Sequence, residues 1–321
     1  MSCPLTSIVN PLNEKEIYFF YLTQNKGTGL EIYGHPRPDK VVVTEFQGNI
    51  KTPPEDDLIV NPGSFSSLVT NGVLNVYGLM KLPSASTKTG DKPGGGSKEV
   101  DASDTKLVAQ LSPVFKLLMP EDDSKVQGVA LTTTIDKNGQ SWMYGITTND
   151  KNIPVIKAIK LGWKESSVTS TIVTTKPPLL STNLATFYDP LGTKSFIIYQ
   201  DKKTLCIVEA GNTEDKEIPN TSDSRDMTGL ACVPVKGQRG VKVYLYYFAD
   251  KGGQLQRVVR DEDGKWSDSN GRDDQDSEQS SFLTATQMGD DIAVYYMVKG
   301  ATSRIYISLD PNNVPARVKD N

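Results

Sequence analysis

An all-β fold is predicted by three features of the sequence. Helical periodicity is scarce. Short runs rich in Val, Ile, Tyr, Phe and Thr recur along the chain, and Gly, Asn, Asp and Pro punctuate them. Among these runs are "EIYFFYLT", "GVALTTTI", "KSFIIYQ", "VKVYLYYF" and "IAVYYMV".

The runs repeat. Inner-strand positions align at Ser67-Leu68, Val129-Ala130, Asn183-Leu184, Gly229-Leu230 and Phe282-Leu283, with Tyr18 as a degenerate first copy. The steps between Tyr18, Leu68, Ala130, Leu184, Leu230 and Leu283 are 50, 62, 54, 46 and 53 residues. The chain length divided by six is about 53, the period of a four-stranded propeller blade. A second strand follows each first one in "LEIYG", "LNVYG", "SWMYG", "FIIYQ", "VYLYY" and "IAVYY". These runs set Tyr33, Tyr77, Tyr144, Tyr199, Tyr246 and Tyr295 in equivalent places. Third strands read "KVVVTEF", "KLVAQL", "PVIKAIKL", "TLCIVEA", "QLQRVVR" and "RIYISL", and two copies close on a tryptophan, "LGWKES" and "GKWSDS". The prediction is a single six-bladed β-propeller over residues 1–321 with four-stranded blades; the alternative is a pair of two-sheet sandwiches. The Ser/Gly/Lys tract at 83–104 reads as a flexible insertion.

Composition narrows the function. Apolar residues make up 37% of the 321 residues, enough for a core of strands that each bury one face. A net charge of −4, with Lys and Arg spread evenly, argues against nucleic acid and against a polybasic membrane surface. The N-terminal run is not a secretory signal and no stretch reaches 18 consecutive apolar residues, so a cytoplasmic location is expected. Three cysteines, Cys3, Cys206 and Cys232, lack metal-ligand spacing and read as reduced thiols. Asn220-Thr221-Ser222 is a sequon expected to be idle.

Catalytic motifs are sparse. His35, in "YGHPRP", is the one histidine, so neither a Ser-His-Asp triad nor a multi-His metal site can be assembled, and no cofactor is expected. His35 reads as a loop residue or as a proton donor at a pocket mouth. The acidic run Asp261 to Gln279 does not keep calcium-loop spacing, and "KPGGGSK" lacks the helix a phosphate loop needs. What remains is aromatic: tyrosines on repeated strands, most packing between blades and some facing clefts or the axis.

A six-fold repeat with "xVYYQ"-like second strands and a blade-closing Trp resembles the fungal fucose-specific lectins over nearly the whole chain. That resemblance implies a sugar held between adjacent blades. An Arg two residues before the strand-two tyrosine and a strand-three Glu would clamp its hydroxyls, and an aromatic would stack on its apolar face. The Arg position here holds Glu31, Asn75, Trp142, Ile197, Tyr244 and Ala293. Strand three keeps Glu209 in one copy, and Arg257 and Ile307 lie near that place in two others. Lys242 with Glu209 is the one charged pair to test. The lectin scaffold is retained while its clamp is not.

The chain is also similar, by fold analogy, to the lectin-like hetero-Diels–Alderases of fungal tropolonic sesquiterpenoid biosynthesis. That resemblance implies a pericyclase without metal or covalent nucleophile, joining a tropolone quinone methide to a humulene-type olefin. Catalysis would come from positioning and from hydrogen-bond donors on the heterodiene oxygen. Trp142, Tyr188 and Tyr77 would then bind substrate. Tyr33 and Tyr144 would be donors or stacking partners, and His35 or a tyrosine a general acid. Three functions are therefore expected in competition: this pericyclase acting on polyketide and terpene substrates, a lectin with degenerate sites, and a non-catalytic interaction propeller.

Overall fold

The computed structural model describes residues 5–22, 28–34, 59–60, 63–81, 106–113, 116–118, 125–162, 167–172, 174–271, 276–277, 281–299 and 305–311. Among these residues the chain is strands and turns, arranged in six antiparallel sheets. The first sheet has β1 (Leu5–Asn10), β2 (Asn13–Leu22) and β3 (Thr28–Gly34). The second runs β4 (Ser66–Thr70), β5 (Val73–Lys81), β6 (Lys106–Ser112) and β7 (Lys116–Leu117), with β8 (Lys125–Val126) also on β6. The third has β9 (Leu131–Ile135), β10 (Ser141–Thr148), β11 (Pro154–Leu161) and β12 (Ser167–Ile172). The fourth has β13 (Ala185–Asp189), β14 (Lys194–Asp201), β15 (Thr204–Glu209) and β16 (Asp215–Glu217). The fifth has β17 (Ala231–Lys236), β18 (Val241–Phe248), β19 (Leu255–Arg260) and β20 (Asn270–Gly271). The sixth has β21 (Leu283–Met288), β22 (Asp291–Met297) and β23 (Ile305–Pro311).

First strands neighbour one another in cyclic order, β1 on β4, β4 on β9, β9 on β13, β13 on β17, β17 on β21, and β21 back on β1. Short hydroxylated side chains make these approaches close. Thr6 Oγ1 meets Ser67 Oγ at 2.8 Å, Ser66 Oγ meets Thr133 Oγ1 at 2.7 Å, Thr132 Oγ1 meets Thr186 Oγ1 at 3.0 Å, and Ser7 Oγ meets Thr284 Oγ1 at 3.0 Å. Gly229 is required on the same ring, because a Cβ there would stand 2.8 Å from both Ser281 O and Leu283 Cβ. The ring encloses an axial cavity of about 140 Å³.

Second strands are buried on both faces, since side chains alternate and a sheet lies on each side. In β18, Tyr246 packs toward the sixth sheet and Tyr247 toward the fourth, both with no exposed surface. Asn71-Gly72, both at positive φ (52° and 75°), form the two-residue turn between β4 and β5 that a right-twisted hairpin prefers.

The predicted repeat is corrected in its first copy. Tyr18 is on the second strand, opposite Ile8, and the inner strand is Leu5–Asn10. "LEIYG" is accordingly a third strand, with Tyr33 opposite Ile17, and "KVVVTEF" lies outside the described residues. The tyrosine series is also not uniform. Tyr77, Tyr144, Tyr246 and Tyr295 face the following sheet, whereas Tyr199 faces the preceding one and donates to Lys176 O at 2.9 Å. Among the described residues the first and sixth sheets have three strands, not four. The 83–104 tract lies outside the described residues.

Candidate functional site between the second and third sheets

A cleft of about 460 Å³ opens between the second and third sheets. Alternation along β5 brings Asn75 and Tyr77 to the face that looks at the third sheet, and Gln110 stands opposite Tyr77 on β6. The third sheet contributes Gln140, Ser141 and Leu161. Val73 and Pro113 add apolar wall. Among the described residues none that lines it is charged. The volume is within the range of ligand pockets, with mostly apolar walls and a few oriented polar groups.

The polar groups are held by a chain of hydrogen bonds. Asn75 is 7% exposed; its Nδ2 donates to Val73 O at 2.9 Å, and its Oδ1 accepts from Gln110 Nε2 at 3.1 Å. Gln110 Nε2 also donates to Ser112 O at 3.3 Å. Thr70 Oγ1 and Ser141 Oγ, 2.9 Å apart, join the two sheets across the cleft. Gln140 Nε2 donates to Ser141 O and Leu161 O, at 2.9 and 2.7 Å. Burial pushes the Tyr77 phenol up to about 12, so it stays a protonated donor across the physiological range.

The residues expected to share one site are distributed over several places. Tyr77 lines this cleft. Trp142, Tyr144 and Tyr188 lie together at the next interface, between the third and fourth sheets. There Trp142 is committed, its Nε1 donating to Asp136 Oδ2 at 3.1 Å. Tyr144 is buried and hydrogen-bonded to Ser195, and burial pushes its phenol up to about 12. The Tyr188 hydroxyl is buried with no hydrogen-bond partner. His35 lies outside the described residues, and so does the side chain of Tyr33.

The charged clamp is tested directly. Glu209 pairs with Lys194 at 2.8 Å, not with Lys242, because Lys242 lies on the opposite face of β18 from Val241 and Val243, which pack on the fourth sheet. Between the fourth and fifth sheets the Arg260 guanidinium lies over Phe187 and Phe196, 5.7 and 5.4 Å from the ring centroids, and its Nη1 is 3.4 Å from Asp189 Oδ2. Between the fifth and sixth, Arg257 pairs with Asp310 and stacks on Tyr244 at 5.8 Å. Own side chains thus occupy these interfaces. Sequence reasoning noted Asn75 only as a lost arginine and missed Gln110; the alternation of "LNVYG" placing Asn75 and Tyr77 on one face was the available signal.

No protein-family model and no curated protein sequence matches the chain. Solved structures do. A triple arginine-to-alanine mutant of AofleA from Arthrobotrys oligospora is 10% identical with a TM-score of 0.65, covering 96% of this chain and 82% of that one. The Aleuria aurantia lectin, described as a six-bladed β-propeller with a novel fucose recognition mode, is 12% identical with a TM-score of 0.59, covering 98% and 97%. SapL1 lectin in complex with α-methyl fucoside is 12% identical with a TM-score of 0.56, covering 95% and 92%. At these identities the likeness is one of fold: the chain is an all-β protein of six sheets, built like the fungal fucose-specific lectins.

Proposed function

We propose that the chain is a six-bladed propeller that binds one neutral, ring-shaped, hydroxylated small molecule in the cleft between its second and third sheets. The observation that carries this reading is a 460 Å³ cleft lined by amides, hydroxyls, a tyrosine and apolar walls, with no charged side chain among the described lining residues. A charged ligand would find no counterion among the described lining residues, and burying an unpaired ion costs several kcal/mol. A neutral ring presents hydroxyls for the amides and an apolar face for Tyr77 and Leu161. The lectin fold supports a sugar as the first class to test, since SapL1 and the Aleuria aurantia lectin both hold α-methyl fucosides.

A hetero-Diels–Alder reading is favoured by one observation: a large cleft, part apolar, lined by a tyrosine. In that reading Tyr77 would donate to the quinone methide oxygen while Val73, Pro113 and Leu161 hold the olefin. Calorimetric titration with methyl α-L-fucoside and other methyl glycosides, beside incubation with a tropolone quinone methide precursor and humulene, decides between the two. Saturation at one site by a glycoside, abolished by Thr70→Trp, is the expected result. Adduct formation without glycoside binding would instead assign the pericyclase, and inertness to both would leave an interaction propeller.

A further inference from the structure

Two polar atoms in the second-to-third-sheet cleft are left over once its internal hydrogen bonds are counted. The donors on Gln110 Nε2 are used, one on Asn75 Oδ1 and one on Ser112 O, so Oε1 is the amide's remaining group and can only accept. Tyr77 is 5% exposed, and among the described residues its hydroxyl has no hydrogen-bond partner. Tyr77 lines the cleft, so a ligand seated there can accept a hydrogen bond from its hydroxyl. Tyr77 and Gln110 are direct register partners on adjacent strands, which puts their side chains next to each other on one face.

We infer that the Tyr77 hydroxyl and Gln110 Oε1 form a donor–acceptor pair that reads two adjacent oxygens of the ligand, one as acceptor and one as hydroxyl donor: a vicinal diol on a neutral sugar ring. The inference rests on the sugar reading of the cleft and adds its recognition chemistry. Asn75 acts as a positioning residue, because its Oδ1 holds Gln110 Nε2 and so turns Oε1 outward. Recognition by neutral groups also makes affinity insensitive to salt, unlike a clamp of ions.

The test uses the full chain and a set of methyl glycosides, followed by deoxy analogues of whichever glycoside binds. Tyr77→Phe should weaken binding about five- to tenfold, the loss of one neutral hydrogen bond. Deleting the matching ligand hydroxyl should weaken the wild type by a similar factor and leave Tyr77→Phe unaffected. The affinity should stay within about twofold between low and high salt. An unchanged melting temperature for Tyr77→Phe separates recognition from folding, and the deoxy series on the unaltered protein stands even if that variant is unstable. Glycoside binding that Tyr77→Phe and the deoxy ligands leave unchanged would overturn the pair and keep the cleft. Absence of saturation by any glycoside would overturn both.

Discussion

Arg257 Nη1 lies 2.7 Å from Asp310 Oδ1 and 2.8 Å from Oδ2, joining the third strand of the fifth sheet to the third strand of the sixth. Asp310 is 1% exposed, and it also accepts from the Tyr246 hydroxyl at 2.7 Å. The pair fastens the last sheet to its neighbour. Removing one member of a buried ion pair strands the other charge, so Asp310→Asn should lower stability by about 3–5 kcal/mol in chemical denaturation. The double change Arg257→Met with Asp310→Leu should recover much of that loss. Equal loss in the single and double variants would show that packing, not charge, holds the interface.

Arg260 occupies the cleft between the fourth and fifth sheets as if it were the ligand there, with its cation on two rings and an acid beside it. Arg260→Ala should destabilise by about 1–3 kcal/mol through lost stacking and packing. Arg260→Lys should fall between the two, because an ammonium cannot stack as the planar guanidinium does. Thermal melts of the three proteins order them.

Asp136 couples a hairpin to Trp142. Burial works to raise its carboxyl, but hydrogen bonds from the Trp142 indole and the backbone N–H groups of Asn138 and Gln140, with Lys160 nearby, outweigh it and hold it below 3.8. Asp215 is lowered likewise: burial opposes, and Thr175 and Lys176 prevail. A folded value below the unfolded one stabilises above the unfolded value, and that stability is lost as pH falls through the folded value. Melting temperature should therefore drop below pH 3.8. Trp142→Phe should soften the drop without removing it, since Asp215 still titrates. An identical acid profile in the variant would disprove the coupling.

Cys206 and Cys232 should resist alkylation. Burial pushes both thiols up to about 12, and Cys232 Sγ donates to Thr186 O at 3.0 Å. At pH 8 the thiolate fraction at each is negligible. Iodoacetamide followed by peptide mass mapping should find both unmodified in the native protein and both modified after denaturation. Native labelling at either would show that its sheet opens.

Most strands and their grouping into six sheets follow from the sequence alone, because the period-2 pattern and the turn residues are local chemistry. Asn71-Gly72 specifies its hairpin whatever packs around it. The first repeat was misframed for a local reason as well: the long apolar run "EIYFFYLT" outweighs the short "LTSIVN" before it, so Tyr18 took the inner place. Which interface stays open was decided only by the tertiary structure. Trp142 ends on Asp136, Arg260 on Phe187 and Phe196, and Arg257 on Asp310. The two arginine contacts cross 53 to 73 residues of sequence. Gln110 reaches Asn75 across a separation of 35 residues. Strand pattern reports which way a side chain points but not what meets it from the neighbouring sheet. Filling or opening a cleft is a property of two sheets packed together, and their spacing is set by the whole ring.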